Sequence, residues 1–175
     1  HVCSPTRASI ITGKYPASIN LTDWLTGRRD FPFQKLLNVK INQHLPYNIP
    51  TLPGVLKENG YQTAIFGKWH LGEDLASTVR QGFDFHLPDW NRGWPNNGYY
   101  FPYDMKGLEE GSPDEYLTDR MSKEAIKYIE QNKDKPFFLY LAHFAVHDPI
   151  EGRPDLVEKY QKKLAVMNTP DGDPY

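Results

Sequence analysis

The sequence lacks most of the features that mark a specialised class of protein. It contains a single cysteine, Cys3, so no disulfide can form within the chain. Its formal net charge is only −2, which gives no long-range attraction to nucleic acid or to anionic membranes. No apolar run approaches the roughly 18 residues that a membrane-spanning helix needs. We therefore expect neither nucleic acid nor a membrane among its partners.

What is present is the composition of one globular domain with aromatic loops. Of the 175 residues, 39% are hydrophobic and 24% are charged, which is sufficient for a single core. Aromatic residues reach 14% and prolines number 15, so much of the chain is expected to form loops that carry Tyr, Trp and Phe. Because the sequence begins without Met and stops on the polar run TPDGDPY, we interpret it as part of a longer protein.

Two stretches have the pattern of a helix followed by a strand. In the first, Thr51 is placed to cap a helix through Asn59, and the apolar segment QTAIFG follows as a short buried strand. In the second, residues 112–132 predict an amphipathic helix, and KPFFLYLA follows as a strand buried on both faces. The apolar positions of this helix recur every four residues: Leu117, Met121, Ala125 and Ile129. The alternation predicts an α/β domain with a mainly parallel sheet.

The remaining segments are a short helix, a long loop and a last helix. The short helix is predicted to have Ser4 as its N-cap, Pro5 at its first position and Gly13 at its end. Residues 72–112 are rich in aromatic residues, Gly, Pro and Asn and are interpreted as a long loop. The last helix is predicted over residues 155–167.

Reactive side chains follow both predicted strands. Lys68 and His70 come after the first strand, and His143 and His147 come after the second. Ligands of parallel sheets bind beyond the carboxyl ends of the strands, so these residues are expected at one edge. A lysine beside a histidine suits the binding of an anionic substrate. The alternative is a solvated lysine beside a structural histidine, which explains the same spacing. The stretch HFAVH lacks the glutamate of the His-Glu-x-x-His zinc motif, so at least one of its histidines is interpreted as structural.

Cys3 lies at the start of the predicted first helix, with Arg7 one turn later on the same face. This setting favours a reactive thiolate, and a small buried side chain is the alternative. Arg7 can stabilise an oxyanion or form an ordinary surface ion pair. The sequence contains no Gly-rich phosphate loop, no Gly-x-Ser-x-Gly elbow and no Cys-x-x-Cys pair.

Three stretches together resemble the type I, formylglycine-dependent sulfatases of the alkaline phosphatase-like superfamily. CSPTRASIITG resembles the first signature of that family, Cys-x-Pro-Ser/Thr-Arg followed by Thr-Gly. GYQTAIFGKWHLG resembles the second signature, and PFFLYLAHFAVHDP resembles the later strand and loop that end in His-x-Pro. The stretches occur in the order of the family and extend from Cys3 to Pro149.

The resemblance implies a fold and a reaction. The fold would be the three-layer α/β fold of alkaline phosphatase-like proteins, only partly covered, with residues 1–175 belonging to the N-terminal catalytic domain. The reaction would be hydrolysis of a sulfate ester. In this family a formylglycine-generating enzyme oxidises the cysteine to an aldehyde, whose hydrate attacks sulfur with one hydroxyl and releases sulfate by deprotonation of the other. Cys3 would be the precursor of that nucleophile.

The same resemblance implies roles for individual residues. Arg7 would hold the formylglycine hydrate, and Lys68 would bind both the hydrate and the sulfate. His70 would assist sulfate release, and His147 would lie near the leaving-group oxygen; His143 has no counterpart role. The family also binds a divalent cation, usually Ca²⁺. Cys3, as formylglycine, would be its only ligand within this chain.

These expectations lead to a substrate class and to three alternative functions. Aromatic loops such as DWNRGWPNNGYY suit stacking on sugar rings, so a small-molecule or oligosaccharide sulfate ester is favoured. One alternative is a formylglycine-dependent phosphoester or phosphonate hydrolase. Another is an inactive fragment without the other metal ligands, and a third is a cysteine hydrolase that pairs an unmodified Cys3 with a histidine. Family members are commonly exported to the periplasm, lysosome or medium, so an exported protein is expected.

Overall fold

The fold alternates helices with short parallel strands. The computed structural model describes residues 2–72 and 76–167. The described elements, in chain order, are α1 (Cys3–Thr12), a 3-10 helix (Pro16–Ile19), α2 (Leu52–Glu58), β1 (Gln62–Gly67), α3 (Ala76–Arg80), β2 (Phe85–Leu87), α4 (Leu117–Asn132), β3 (Phe137–Ala142) and α5 (Pro154–Val166). Within these residues, no helix has the length and apolarity needed to cross a membrane.

β1 is the central strand of a three-stranded sheet in the order β2-β1-β3, and it pairs in parallel with both neighbours. Successive side chains of a strand point to opposite faces, and β1 is apolar on both. Ile65 packs against Ala8 and Ile11 of α1, whereas Ala64 and Phe66 pack against α4. The parallel sheet predicted from the two helix–strand units is therefore confirmed.

The long segment between β2 and α4 contains a core of its own. Residues Tyr99, Tyr103 and Met105 pack with Leu117 of α4 and with Phe144, which follows β3. Residues 72–112 had been expected to form a long loop, so the short helix α3 and the three-residue strand β2 within that range were missed. A strand of three residues is too short to show the alternation by which a half-buried strand is recognised.

Several predicted boundaries are confirmed. Thr51 Oγ1 accepts a hydrogen bond from the Gly54 N–H at 3.2 Å, so Thr51 caps α2, which ends at Glu58. Gly13 ends α1 in the left-handed conformation, with φ of 69°. The last helix lies one residue earlier than expected.

Other predicted details are wrong. Val2 takes the N-cap position of α1, and the buried Ser4 hydroxyl instead donates to the backbone carbonyl of His70. α4 begins at Leu117 rather than at residue 112, because Tyr116 is extended and forms a β-bridge with Tyr100. Ile129 is 41% exposed, so it lies outside the buried stripe of that helix. β3 is an edge strand of this sheet, with most of its residues only partly buried, rather than a strand buried on both faces.

Gly67 allows β1 and β3 to meet closely at their carboxyl ends. Its φ is 101°, which L side chains rarely adopt, and a Cβ there would collide with the carbonyl oxygen of Ala142. The same carbonyl accepts a hydrogen bond from the Lys68 N–H at 2.7 Å. Gly60 also has positive φ, 84°, but a Cβ there would meet no atom within 4 Å. Substitutions at the two glycines therefore separate the free-energy cost of a strained backbone conformation from the free-energy cost of steric overlap.

We expect Gly60→Ala to destabilise the protein by about 1–2 kcal/mol, because alanine is strained at positive φ. Gly67→Ala should cost about 1–3 kcal/mol more, because overpacking against Ala142 adds to that strain. Chemical denaturation of the two variants beside the wild type measures both values. An equal cost at the two positions would show that the Ala142 carbonyl does not constrain residue 67.

Candidate active site

The segment after β1 directs two polar side chains toward the start of α1. Lys68 and His70 flank Trp69, whose indole N–H donates to Ser77 Oγ at 2.8 Å within the core. Lys68 is 4% exposed and His70 is 5% exposed, so both are buried. His70 has φ of 56°, and non-glycine residues with positive φ store backbone strain that functional sites often retain.

The Cys3 side chain lies against the ring of His70, with Sγ 3.2 Å from Nδ1. The other ring nitrogen, Nε2, is 2.8 Å from the carbonyl oxygen of Leu25. A carbonyl can only accept, so Nε2 carries the hydrogen and Nδ1 presents its lone pair to Cys3. Burial, helped by the nearby charges of Lys68 and Arg7, lowers the pKa of His70 to about 4 against the opposing Leu25 hydrogen bond. The ring is therefore neutral near pH 7, and Nδ1 can accept a proton.

Two cationic side chains complete the surroundings of Cys3. Burial lowers the pKa of Lys68 to about 8, although attraction to Cys3 and a hydrogen bond with its side chain oppose this shift. Burial also lowers the pKa of Arg7, whose Nη1 donates to the Lys68 carbonyl at 2.6 Å. The buried Lys68 and the partly buried Arg7 beside a neutral base form a site suited to an anion.

Ser4 holds the three segments of the site together. Its fully buried hydroxyl donates to the His70 carbonyl at 2.9 Å and accepts from the Leu25 N–H at 3.2 Å. One hydroxyl thus joins α1, the segment around Leu25 and the segment after β1. The sequence motif placed this residue correctly, but its expected role as a helix cap was wrong.

His147 lies at the same edge of the sheet but outside this cluster. Its Nδ1 donates to the carbonyl of Asp148 at 3.1 Å, which leaves Nε2 available. The Tyr99 hydroxyl donates to the His147 carbonyl at 3.0 Å, and Trp94 stacks on the imidazole with 6.2 Å between ring centroids. No hydrogen bond between described residues joins His147 to Cys3, Lys68 or His70.

His143 takes no part in the cluster. Its Nδ1 is buried and has no hydrogen-bond partner among residues 2–72 and 76–167, and burial lowers the pKa of the ring. The sequence placed four polar residues at one edge, and the structure brings two of them, Lys68 and His70, to Cys3.

A cavity of about 340 Å³ opens beside His70. The sequence predicted an aromatic loop, but it did not predict the contacts by which this loop packs against the site and lines the cavity. The lining residues are Leu25, Thr26, His70, Gly72, Asn91, Arg92 and Trp94. A Cβ on Gly93 would lie 2.5 Å from both Cε1 and Nδ1 of His70, so the loop backbone packs directly on the imidazole. Because these contacts depend on tertiary folding, no local pattern in the sequence reveals them.

The surroundings of Cys3 do not by themselves make a calcium site. Ca²⁺ takes six to eight oxygen ligands, most of them from carboxylates and carbonyls. The side chains that contact Cys3 are cationic or neutral, and the described residues contain no group of three His, Cys, Asp or Glu that could hold a metal.

Comparison with known proteins identifies the family. The family model described as Sulfatase matches residues 1–171. The chain belongs to the sulfatase family. An N-acetylgalactosamine-6-sulfatase from Canis lupus familiaris is 34% identical over 173 residues, which cover 85% of this chain and 31% of that relative. An arylsulfatase from Hemicentrotus pulcherrimus is 30% identical and is matched over 83% of this chain and 29% of its own length. This sulfatase chain thus spans about a third of the length of these curated relatives.

Two solved structures with a similar fold are complexes with saccharides. The crystal structure of Ps i-CgsB in complex with k-i-k-neocarrahexaose has a TM-score of 0.66 at 27% identity, covering 91% of this chain and 38% of that chain. The structure of BT4656 with its substrate D-glucosamine-2-N,6-O-disulfate has a TM-score of 0.64 at 25% identity, covering 98% and 29%. The expected fold class, the α/β sulfatase fold with a parallel sheet covered in part by this chain, is confirmed.

Replacing Gly93 should disturb the sulfatase site through the His70 ring. The added methyl group of Gly93→Ala must displace either the imidazole or the loop, and misplacement of a reacting group by about 1 Å can cost about 100-fold in rate. If the site hydrolyses a sulfate ester, as proposed below, kcat/KM for that reaction should fall roughly 10- to 100-fold.

Gly152→Ala is the matched control for this change. A Cβ there would lie 2.8 Å from Cγ2 of Val157, the movable end of an exposed side chain. Its rate should stay within about twofold of wild type. Equal rates for the two variants would contradict the close packing of the loop on His70.

Proposed function

We propose that the protein containing this chain is a sulfatase that hydrolyses a sulfate ester of a carbohydrate through a formylglycine derived from Cys3. The observation that carries the proposal is the position of the Cys3 side chain. It lies against the lone pair of His70 Nδ1, with the charges of Lys68 and Arg7 nearby. Membership of the sulfatase family supports the same reaction.

The surroundings of Cys3 fit the oxidised side chain. Sγ marks the place of an oxygen in formylglycine, and a hydroxyl there can donate to His70 Nδ1 and accept from Lys68 Nζ. When present, the hydrated aldehyde supplies one hydroxyl to attack sulfur and a second whose deprotonation releases sulfate. The net reaction converts a sulfate ester and water into an alcohol and hydrogen sulfate.

The residues of this chain would bind the sulfate and move protons. His70 accepts a proton at Nδ1, because its other nitrogen is occupied by the Leu25 carbonyl. Lys68 and Arg7 neutralise the anionic sulfate oxygens, and their burial strengthens that attraction because little water screens it. His147 has Nε2 available for the leaving-group oxygen; because Nδ1–H is donated to the Asp148 carbonyl, Nε2 must carry a second proton, as in the imidazolium form, to protonate that oxygen as the alcohol departs.

Two partners of the reaction are proposed outside the described residues. Ca²⁺ would be held by oxygen ligands elsewhere in the protein together with residue 3, and it would help to neutralise the sulfate. A formylglycine-generating enzyme would supply the oxidised residue.

A sulfated saccharide is the proposed substrate class. The relatives are named for action on N-acetylgalactosamine-6-sulfate, and one solved neighbour holds D-glucosamine-2-N,6-O-disulfate. In this chain, Trp94 lines the cavity beside His70 and offers an aromatic face of the kind on which sugar rings stack. The cavity is thus placed to receive the sugar whose sulfate lies at residue 3.

One observation also favours a second candidate, a cysteine hydrolase. The separation of 3.2 Å between Cys3 Sγ and His70 Nδ1 is that of a thiol hydrogen-bonded to a base. The two candidates differ in the chemical state of residue 3, which is therefore the quantity to measure.

We expect mass spectrometry of the peptide containing Cys3 to show –CHO in place of –CH₂SH, in protein produced with a formylglycine-generating enzyme. The matured protein should hydrolyse an aryl or sugar sulfate ester faster than the phosphate ester of the same alcohol. Cys3→Ala should lower this rate about 10⁶-fold, the size typical of losing a nucleophile.

Ser9→Ala is a suitable control, because Ser9 lies in the same helix, and no hydrogen bond of its side chain is present among the described residues. Its rate should remain close to wild type. A thiol that persists with a competent maturing enzyme, together with hydrolysis that requires it, would replace the sulfatase proposal with the cysteine hydrolase. A preference for the phosphate ester would indicate the phosphoesterase alternative.

A further inference from the structure

Arg92 lines the cavity and lies over two indole rings. Its guanidinium carbon lies 5.8 Å from the ring centroid of Trp90 and 5.8 Å from that of Trp94. The Trp90 indole N–H donates to the Trp94 carbonyl at 2.7 Å, which closes the bend that carries Arg92. Cation–π contacts of this kind restrict the guanidinium without using its N–H donors.

The donors of Arg92 are not used by an acidic side chain of the described residues. The nearest acid in sequence, Asp89, forms an ion pair with Lys106 at 2.7 Å instead. Within residues 2–72 and 76–167, no carboxylate forms an ion pair with Arg92, and the side chain is exposed. An oriented guanidinium with unused donors is a site for a planar or tetrahedral anion.

Arg92 shares its cavity with the catalytic cluster. His70 and Trp94 line the same cavity of about 340 Å³, and Gly93 packs on the His70 ring. A volume of this size lies at the lower end of the range for small-ligand sites, about 300–1,000 Å³. A sugar whose scissile sulfate lies at residue 3 therefore has its other substituents within the region that Arg92 faces.

We propose that Arg92 binds a second anionic group of the substrate, a carboxylate or a further sulfate on the same or the adjoining sugar. The inference rests on the proposed function and narrows it to multiply charged sulfated saccharides. The N–H donors of the planar guanidinium are arranged as a fork, so two of them can bind either anion at the same time. Packing over the two indoles orients the fork before the substrate arrives, which reduces the entropy lost on binding.

The test compares substrates that differ by one anionic group. Wild type and Arg92→Ala are both produced with Cys3 oxidised to formylglycine. Each is assayed on a monosulfated neutral sugar, on its disulfated counterpart and on a monosulfated disaccharide that contains a uronic acid. The readout is the ratio of kcat/KM for each doubly charged substrate to that for the neutral sugar. This ratio should fall about 10- to 100-fold in Arg92→Ala, the loss typical of a hydrogen bond to a charged group.

Two further variants sharpen the comparison. Arg92→Lys keeps the charge but not the fork, so its ratio should lie between those of wild type and Arg92→Ala. Arg29→Ala removes an exposed arginine that does not line the cavity, and its ratio should equal that of wild type. A fall confined to the disulfated sugar assigns the site to sulfate, and a fall confined to the uronic acid assigns it to carboxylate. An unchanged ratio overturns the proposal and leaves Arg92 as a packing residue.

The binding of substrate to a variant that cannot hydrolyse it tests this proposal separately from the proposed function. Calorimetry of the disulfated sugar with Cys3→Ala and with Cys3→Ala/Arg92→Ala should show affinity that is about 10- to 100-fold weaker in the double variant. If that difference appears while the wild type hydrolyses no sulfate ester, the anion site stands and the sulfatase proposal fails. If hydrolysis occurs and neither ratio nor affinity depends on Arg92, the sulfatase proposal stands and the anion site fails.

Discussion

The close contact of β1 and β3 at Gly67 is the constraint on which the site depends. The Ala142 carbonyl accepts from the Lys68 N–H at 2.7 Å, and this bond fits only because residue 67 has no side chain. The chain then leaves the sheet with Trp69 in the core, and Lys68 and His70 both reach Cys3. A larger residue at the end of β1 would alter the direction in which both polar side chains point.

The electrostatic properties of the site follow from the burial of positively charged side chains before a substrate binds. Burial lowers the pKa of Lys68, of His70 and of Arg7, so the protein gives up solvation at three neighbouring groups. An anion bound among them would restore favourable charge interactions and raise the pKa of Lys68 again. The neutral state of His70 has a separate use, because only a neutral ring leaves Nδ1 able to accept a proton from residue 3.

The catalytic cluster was largely predictable, whereas its supporting contacts were not. Local spacing paired Lys68 with His70 after an apolar run and Cys3 with Arg7 one helical turn apart, and the family resemblance placed the two pairs in one site. The Leu25 carbonyl that sets the tautomer of His70 is a backbone atom, and any residue type could supply it. Ser4 had a local explanation as a helix cap, but its hydroxyl instead joins segments 66 and 21 residues away. Tertiary contacts outweighed local capping there, as they often outweigh local preference.

The topology brings the segments that follow three strands to one edge of the sheet. Because all three strands are parallel, their carboxyl ends share an edge, so the segments that follow β1, β2 and β3 meet there. The segment after β1 supplies Lys68 and His70, and the segment after β3 supplies His147. The segment after β2 supplies Arg92 and Trp94, which line the cavity without contacting Cys3 by a described hydrogen bond. Trp94 stacks on His147 and Gly93 packs on His70, so this loop is positioned by the same side chains that would act on the substrate. Changes in this loop can therefore reshape the cavity while the strands keep Lys68 and His70 in place.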